Sequence, residues 1–122
     1  MQNRNLDQNS DRLQIPASDN LLVCTLTAAD YRDRERAWLK LGTYVRASAA
    51  IPGGLTFTFV QALGLHDSLA QLVRLEADCC AWMAFAMEDS LDGIRLSITA
   101  NGEDGERGVR QAFAPLARSE SL

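Results

Sequence analysis

Pro52-Gly53-Gly54-Leu55-Thr56-Phe57-Thr58-Phe59-Val60 decides the fold. A Pro-Gly-Gly turn signal opens the stretch, and strict alternation of apolar and polar residues follows. Leu55, Phe57 and Phe59 fall on one face of a strand, Thr56 and Thr58 on the other, because side chains alternate along a strand. Residues 45–50 precede the turn and complete a hairpin. A second hairpin is expected further on, where residues 84–88 and 94–99 flank Asp92-Gly93. Ile94, Leu96 and Ile98 alternate there with Arg95, Ser97 and Thr99. Both hairpins therefore present one apolar and one polar face. Antiparallel sheets of this kind pack one side on a core and leave the other to solvent.

Helices must cover the apolar side. Thr27 reads as an N-cap with Asp30 three residues on, and Tyr31, Trp38 and Val45 recur at helical spacing, so a helix is expected over about 28–43. Leu65, Leu69, Leu72, Cys79, Cys80 and Met83 mark a second helical stripe. Val109, Phe113 and Leu116 mark a third over about 103–118, which Pro115 disrupts late. The apolar run Leu21–Leu26 reads as a first strand. The expected order is β-α-β-β-α-β-β-α, an α+β fold. It is a two-layer α/β sandwich with the helices on one face of a mainly antiparallel sheet. The similar helix-hairpin order of the two halves is compatible with an internal duplication. Leu22, Leu26, Phe57, Phe59, Leu65, Leu69, Leu72, Leu96 and Ile98 are the expected core.

The chain has 122 residues, 47% of them hydrophobic and 23% charged, which suits one domain. Residues 1–19 are rich in Asn, Gln, Asp and Ser and read as a disordered arm; residues 20–118 read as the folded domain. The net charge of −4 and the scatter of the 12 basic residues argue against nucleic acid as a partner. No apolar run approaches the ~20 residues of a membrane span, and the first residues lack the apolar core of a signal peptide. A cytoplasmic location is therefore expected, with the three cysteines as thiols. Exposed hairpin edges suggest a homodimer.

Glu76, Cys79 and Cys80 are the chemically pointed residues. At i, i+3 and i+4 they are neighbours on a helix. A carboxylate in an apolar stripe must reach water, keep its proton or meet a cation. Two thiolates and a carboxylate suit a thiophilic divalent metal, and Cys24, on the same strand side as Leu22 and Leu26, offers a third sulfur. Adjacent cysteines on a helix disfavour a mutual disulfide. Other readings of the same residues stand beside this one. The cysteines fill a core as small hydrophobes, in a ligand-binding or interaction module whose partner is a small molecule. Alternatively, one thiolate is a nucleophile in a small cysteine-dependent enzyme, within a pocket walled by Tyr31, Trp38, Phe57, Phe59, Trp82 and Phe85. A carboxylate without a cation would make such a thiol less reactive, and on its own helix Arg74 points away; Arg46 and Arg95 are the arginines considered as partners of Glu76. His66 lies roughly 20 Å before Cys79 along the helix axis and cannot join the cluster; it reads as an exposed helix-start residue.

The run Leu75-Glu76-Ala77-Asp78-Cys79-Cys80-Ala81-Trp82-Met83-Ala84-Phe85, followed by Gly93-Ile94-Arg95-Leu96-Ser97-Ile98, resembles a group of uncharacterised small bacterial proteins. Their pattern is Glu-x-x-Cys-Cys-x-Phe/Trp-x-x-Phe with a following hairpin and terminal helix. The resemblance covers residues 63–117 and implies a shared αββα unit, without an activity.

Overall fold

In a computed structural model the described residues are 12–19, 21–24 and 26–117. The chain builds β1 (Arg12–Ile15), α1 (Ala28–Gly42), β2 (Val45–Ile51), β3 (Gly54–Phe59), α2 (Leu65–Cys79), β4 (Met83–Ser90), β5 (Gly93–Ala100), α3 (Gly102–Ala112) and α4 (Ala114–Ala117). All strand pairings are antiparallel, in the order β1-β4-β5-β3-β2. The α+β class and the helix-hairpin plan are as the alternation required. The two hairpins meet through their second strands, β3 against β5. Phe57 stands opposite Leu96 and Phe59 opposite Ile94.

Alternation sorts the two faces. Phe57, Phe59, Met87, Ile94, Leu96 and Ile98 are essentially inaccessible and form the inner face. The outer face carries polar neighbours, among them Thr56 and Ser97, whose hydroxyls lie 3.0 Å apart. Gly93 has to be glycine. Its φ is +142°, and a Cβ there would collide with the carbonyl of Phe59 on the neighbouring strand.

Each helix forms for a local reason. Thr27 caps α1 by accepting the Asp30 N–H at 3.1 Å. The α2 stripe buries Leu65, Leu69, Leu72, Val73, Glu76 and Cys79. Pro115 divides the C-terminal helical segment, which becomes α3 and the short α4 joined at Phe113. Leu69 is fully buried in the core. Leu69→Ala should therefore cost about 2–5 kcal/mol in a urea melt; an unchanged midpoint would contradict the packing of α2.

Two expectations are corrected. The run at 21–26 is not a strand: its described residues, 21–24 and 26, are irregular, with Leu21, Leu22 and Val23 exposed, Leu22 by 45%. Leu22 thus leaves the expected core, while Leu26 packs partly buried against it. The physical reason is that the sheet edge beside β4 is already filled by β1. That strand falls within the segment read as a disordered arm; residues 1–11 lie outside the described residues. After Pro16 the chain leaves the sheet. The Ser18 and Asp19 N–H groups both donate to the Ala81 carbonyl, at 2.8 and 3.2 Å. The chain is thereby laid across the end of α2, and this crossing positions Cys24.

Candidate functional site

The C-terminal turn of α2 carries Glu76 and Cys79, and Cys80 is the residue that ends the helix. Burial is nearly complete: 8% of Glu76, 7% of Cys79 and none of Cys80 is exposed. One carboxylate oxygen and the two sulfurs all lie within 4.8 Å of one another. Cys79 Sγ is 3.7 Å from Cys80 Sγ, and Cys80 Sγ is 3.5 Å from Glu76 Oε2. The i, i+3, i+4 convergence expected of these three residues is present.

A buried carboxylate requires partners, and both come from α1. The Trp38 indole N–H donates to Glu76 Oε1 at 2.7 Å. Arg34 donates to the same oxygen at 3.4 Å and to Cys79 Sγ at 3.5 Å. Glu76 is therefore charge-compensated and held by one face of α1. The arginine in question is Arg34, rather than Arg46 or Arg95. Arg34 and Trp38 are separated by four residues on one helix face, which is the signal the sequence offered for them.

Cys24 joins the cluster covalently. It forms a disulfide with Cys80, their Cα atoms 4.8 Å apart and 56 residues apart in sequence. The expectation of three thiols is corrected on this point; the approach of Cys24 to the helix cysteines is as expected. Cys79 is the free cysteine. With Cys80 oxidised, its contacts with Cys79 and Glu76 are sulfur approaches without a shared thiol proton. Cys79 has a proton, and its thiol donates to the Glu76 backbone carbonyl at 3.5 Å.

The electrostatics of Cys79 have opposing contributions. Burial pushes its pKa above the ordinary thiol value, and the Glu76 charge pushes it further; the hydrogen bond and positive charge of Arg34 pull it down without reversing the sign. In this state Cys79 is a protonated thiol near neutral pH. That is the wrong direction for an activated nucleophile.

A cavity of ≈ 50 Å³ adjoins Glu76, lined by Leu26, Tyr31, Arg34, Trp38, Phe113 and Leu116 among others. Tyr31 and Trp38 line it as the sequence suggested, whereas Phe57, Phe59 and Phe85 belong to the buried core. Trp82 is also buried and stacks over Gly108 of α3, where an added Cβ would come within 3.0 Å of its ring. His66 takes no part in the cluster. It stands at the start of α2, as expected, but is half-buried rather than exposed, its Nδ1 2.7 Å from Asp89 Oδ1. Among the described residues no helix is long and apolar enough to cross a membrane. No family model, curated protein or solved structure matches the chain.

Proposed function

We propose that the protein binds a thiophilic divalent metal ion in its reduced form, through Glu76, Cys79, Cys80 and Cys24. The supporting observation is the spacing of the donor atoms. Two sulfurs bound to a tetrahedral zinc at its usual Zn–S length stand about 3.8 Å apart, and a bound sulfur and carboxylate oxygen about 3.5 Å. Cys79 and Cys80 are 3.7 Å apart, and Cys80 and Glu76 3.5 Å. The three donors on α2 together span up to 4.8 Å, so the Cys79–Glu76 edge has to shorten and the Cys24–Cys80 bond has to open before the set meets around one ion.

Charge supports the same reading. Three thiolates and a carboxylate over-compensate a divalent ion, and Arg34 supplies part of the balance. The last turn of α2 has no basic residue of its own, so its free carbonyl ends favour a cation there. The donor set is mainly sulfur, which selects zinc or a softer ion over calcium or magnesium. The raised pKa of Cys79 disfavours the alternative of a cysteine nucleophile.

Titration of fully reduced protein with Zn(II) against a chromophoric chelator tests the proposal. One ion per chain is expected, with release of thiol protons. Affinity should weaken as pH falls, because protons compete for the sulfurs, and the ordinary thiol pKa of about 8.5 already carries this dependence above neutrality. Cys79→Ser should weaken binding by more than about 100-fold, since loss of an outer partner of a ligand alone costs 10–100-fold. Binding by Cys79→Ser equal to wild type would return the cysteines to a packing role.

A further inference from the structure

The disulfide uses two of the sulfurs that the proposed metal needs. With Cys24 and Cys80 joined, Glu76 and the Cys79 thiol are the donors left in the cluster. After reduction there are four, the usual number for a closed zinc site. The two cysteines also differ in access: Cys24 is exposed on an irregular segment, whereas Cys80 is fully buried.

We infer that the Cys24–Cys80 disulfide is the unloaded state of a redox-coupled metal site, which a small thiol opens for loading and a small disulfide empties. The inference rests on the metal-binding reading above. Loading begins at Cys24, the more exposed of the two residues. A thiolate RS⁻ attacks Cys24 Sγ, the Cys24–Cys80 bond breaks, and Cys80 leaves as a thiolate. A second RS⁻ attacks the RS sulfur of the mixed disulfide, releasing RSSR and the Cys24 thiolate. Two electrons have passed from two thiols to the protein disulfide. The freed thiolates, with Cys79 and Glu76, then take the metal.

Emptying is the reverse. The exposed Cys24 thiolate attacks RSSR and expels RS⁻. Cys80 thiolate then attacks the Cys24 sulfur, expels the second RS⁻ and restores the disulfide. The divalent ion, left with two donors, is released. Two features disfavour a free, unliganded Cys80 thiolate between the two states. Cys80 sits beside Glu76 at 3.5 Å, so an uncompensated Cys80 thiolate is repelled by the carboxylate and is driven either onto a metal or back into the disulfide. Arg34 faces Cys79 and Glu76 and has no bond to Cys80, so the positive charge within reach does not relieve that repulsion directly.

The experiment compares three samples of the full chain: reduced wild type, air-oxidised wild type and reduced Cys24→Ser. Each is titrated with Zn(II), and thiols are counted under denaturing conditions. The expected counts are three free thiols in reduced wild type and one in the oxidised form. Zn(II) affinity should be more than about 100-fold weaker in the oxidised form, by the same loss-of-ligand reasoning. Oxidised glutathione added to zinc-loaded wild type should release the metal as two thiols disappear. Cys24→Ser lacks one of the proposed ligands and should bind Zn(II) more weakly than reduced wild type; loaded at correspondingly higher Zn(II), it should hold the same amount of metal before and after oxidised glutathione, since Cys80 has no partner across the site. Cys24 lies exposed outside any helix or strand, so the substitution removes no core packing, and its loss of the cross-link is matched by comparing it with reduced wild type, which also lacks the disulfide.

Equal zinc affinity of oxidised and reduced wild type would overturn the inference while leaving metal binding intact. Three free thiols in the oxidised sample would do the same. Release of zinc from Cys24→Ser at the wild-type rate would also overturn it. Absence of zinc binding by every sample, the reduced wild type included, would instead remove the metal reading on which it stands.

Discussion

Glu76→Ala should destabilise the oxidised, metal-free protein by about 3 kcal/mol, whereas Glu76→Gln should cost about 1 kcal/mol. Removing one partner of a buried ion pair typically costs about 3–5 kcal/mol, because the other charge remains without compensation. The Arg34 side chain is 15% exposed and can partly reach water, so loss of the charge is discounted to about 1 kcal/mol in either variant, and the Trp38 acceptor, lost in alanine alone, accounts for about 2 kcal/mol more. Trp38 has less freedom. It is 4% exposed, and its ring packs edge-on against Phe113 at a centroid distance of 5.1 Å, so its N–H would be left buried without an acceptor. Glutamine keeps an oxygen for Trp38 and the shape of the side chain, and loses the charge alone. Urea unfolding of the two variants in the presence of chelator gives the comparison. Equal costs would mean that the charge rather than the hydrogen bond holds α1 against α2, and no cost for alanine would mean that the α1–α2 contact is not held by Glu76 at all. The same pair separates structure from binding: Glu76→Gln, folded but uncharged, should still lose zinc affinity.

The sequence exposed some parts of this architecture and concealed others for physical reasons. Period-two alternation in Gly54–Phe59 and Gly93–Ala100 is forced by burial of one sheet face, so these strands and their inner residues could be read directly. Glu76, Cys79 and Cys80 were legible because they lie on one helix, where spacing fixes proximity. Arg34 and Trp38 are 42 and 38 residues away from Glu76, and nothing in local periodicity says which faces of α1 and α2 meet. Leu21–Leu26 was misread because an apolar β-branched run has strand character wherever it occurs, while sheet membership depends on a vacant edge. That edge is occupied by Arg12–Ile15, a short segment paired with Phe85–Glu88 and too brief to stand out from its polar surroundings. The disulfide was concealed by the same error, since its geometry depends on the crossing of the chain over the end of α2.

Reduction of Cys24–Cys80 without metal should lower stability by roughly 4 kcal/mol, the chain-entropy value for a cross-link closing a loop of this separation, within the usual range of 2–5. The closed loop contains α1, β2, β3 and α2, so releasing it frees both halves of the candidate site. For a chain of this size the loss corresponds to a fall of roughly 15 °C in Tm. Zinc should reverse most of it. A ligand at 1,000 times its Kd stabilises the folded state by about 4.1 kcal/mol, close to the contribution lost with the disulfide. On the proposed metal-binding reading, metal and disulfide would be alternative links between the segment at Cys24 and the end of α2. Thermal unfolding in four conditions, oxidised or reduced and with chelator or Zn(II), gives the full comparison. The expected pattern is one low Tm, for the reduced protein with chelator, and three high ones. A reduced protein as stable as the oxidised one would show that the loop is held by packing alone. A reduced protein that Zn(II) fails to stabilise would show that Cys24 and Cys80 serve as a structural cross-link without a metal-bound counterpart.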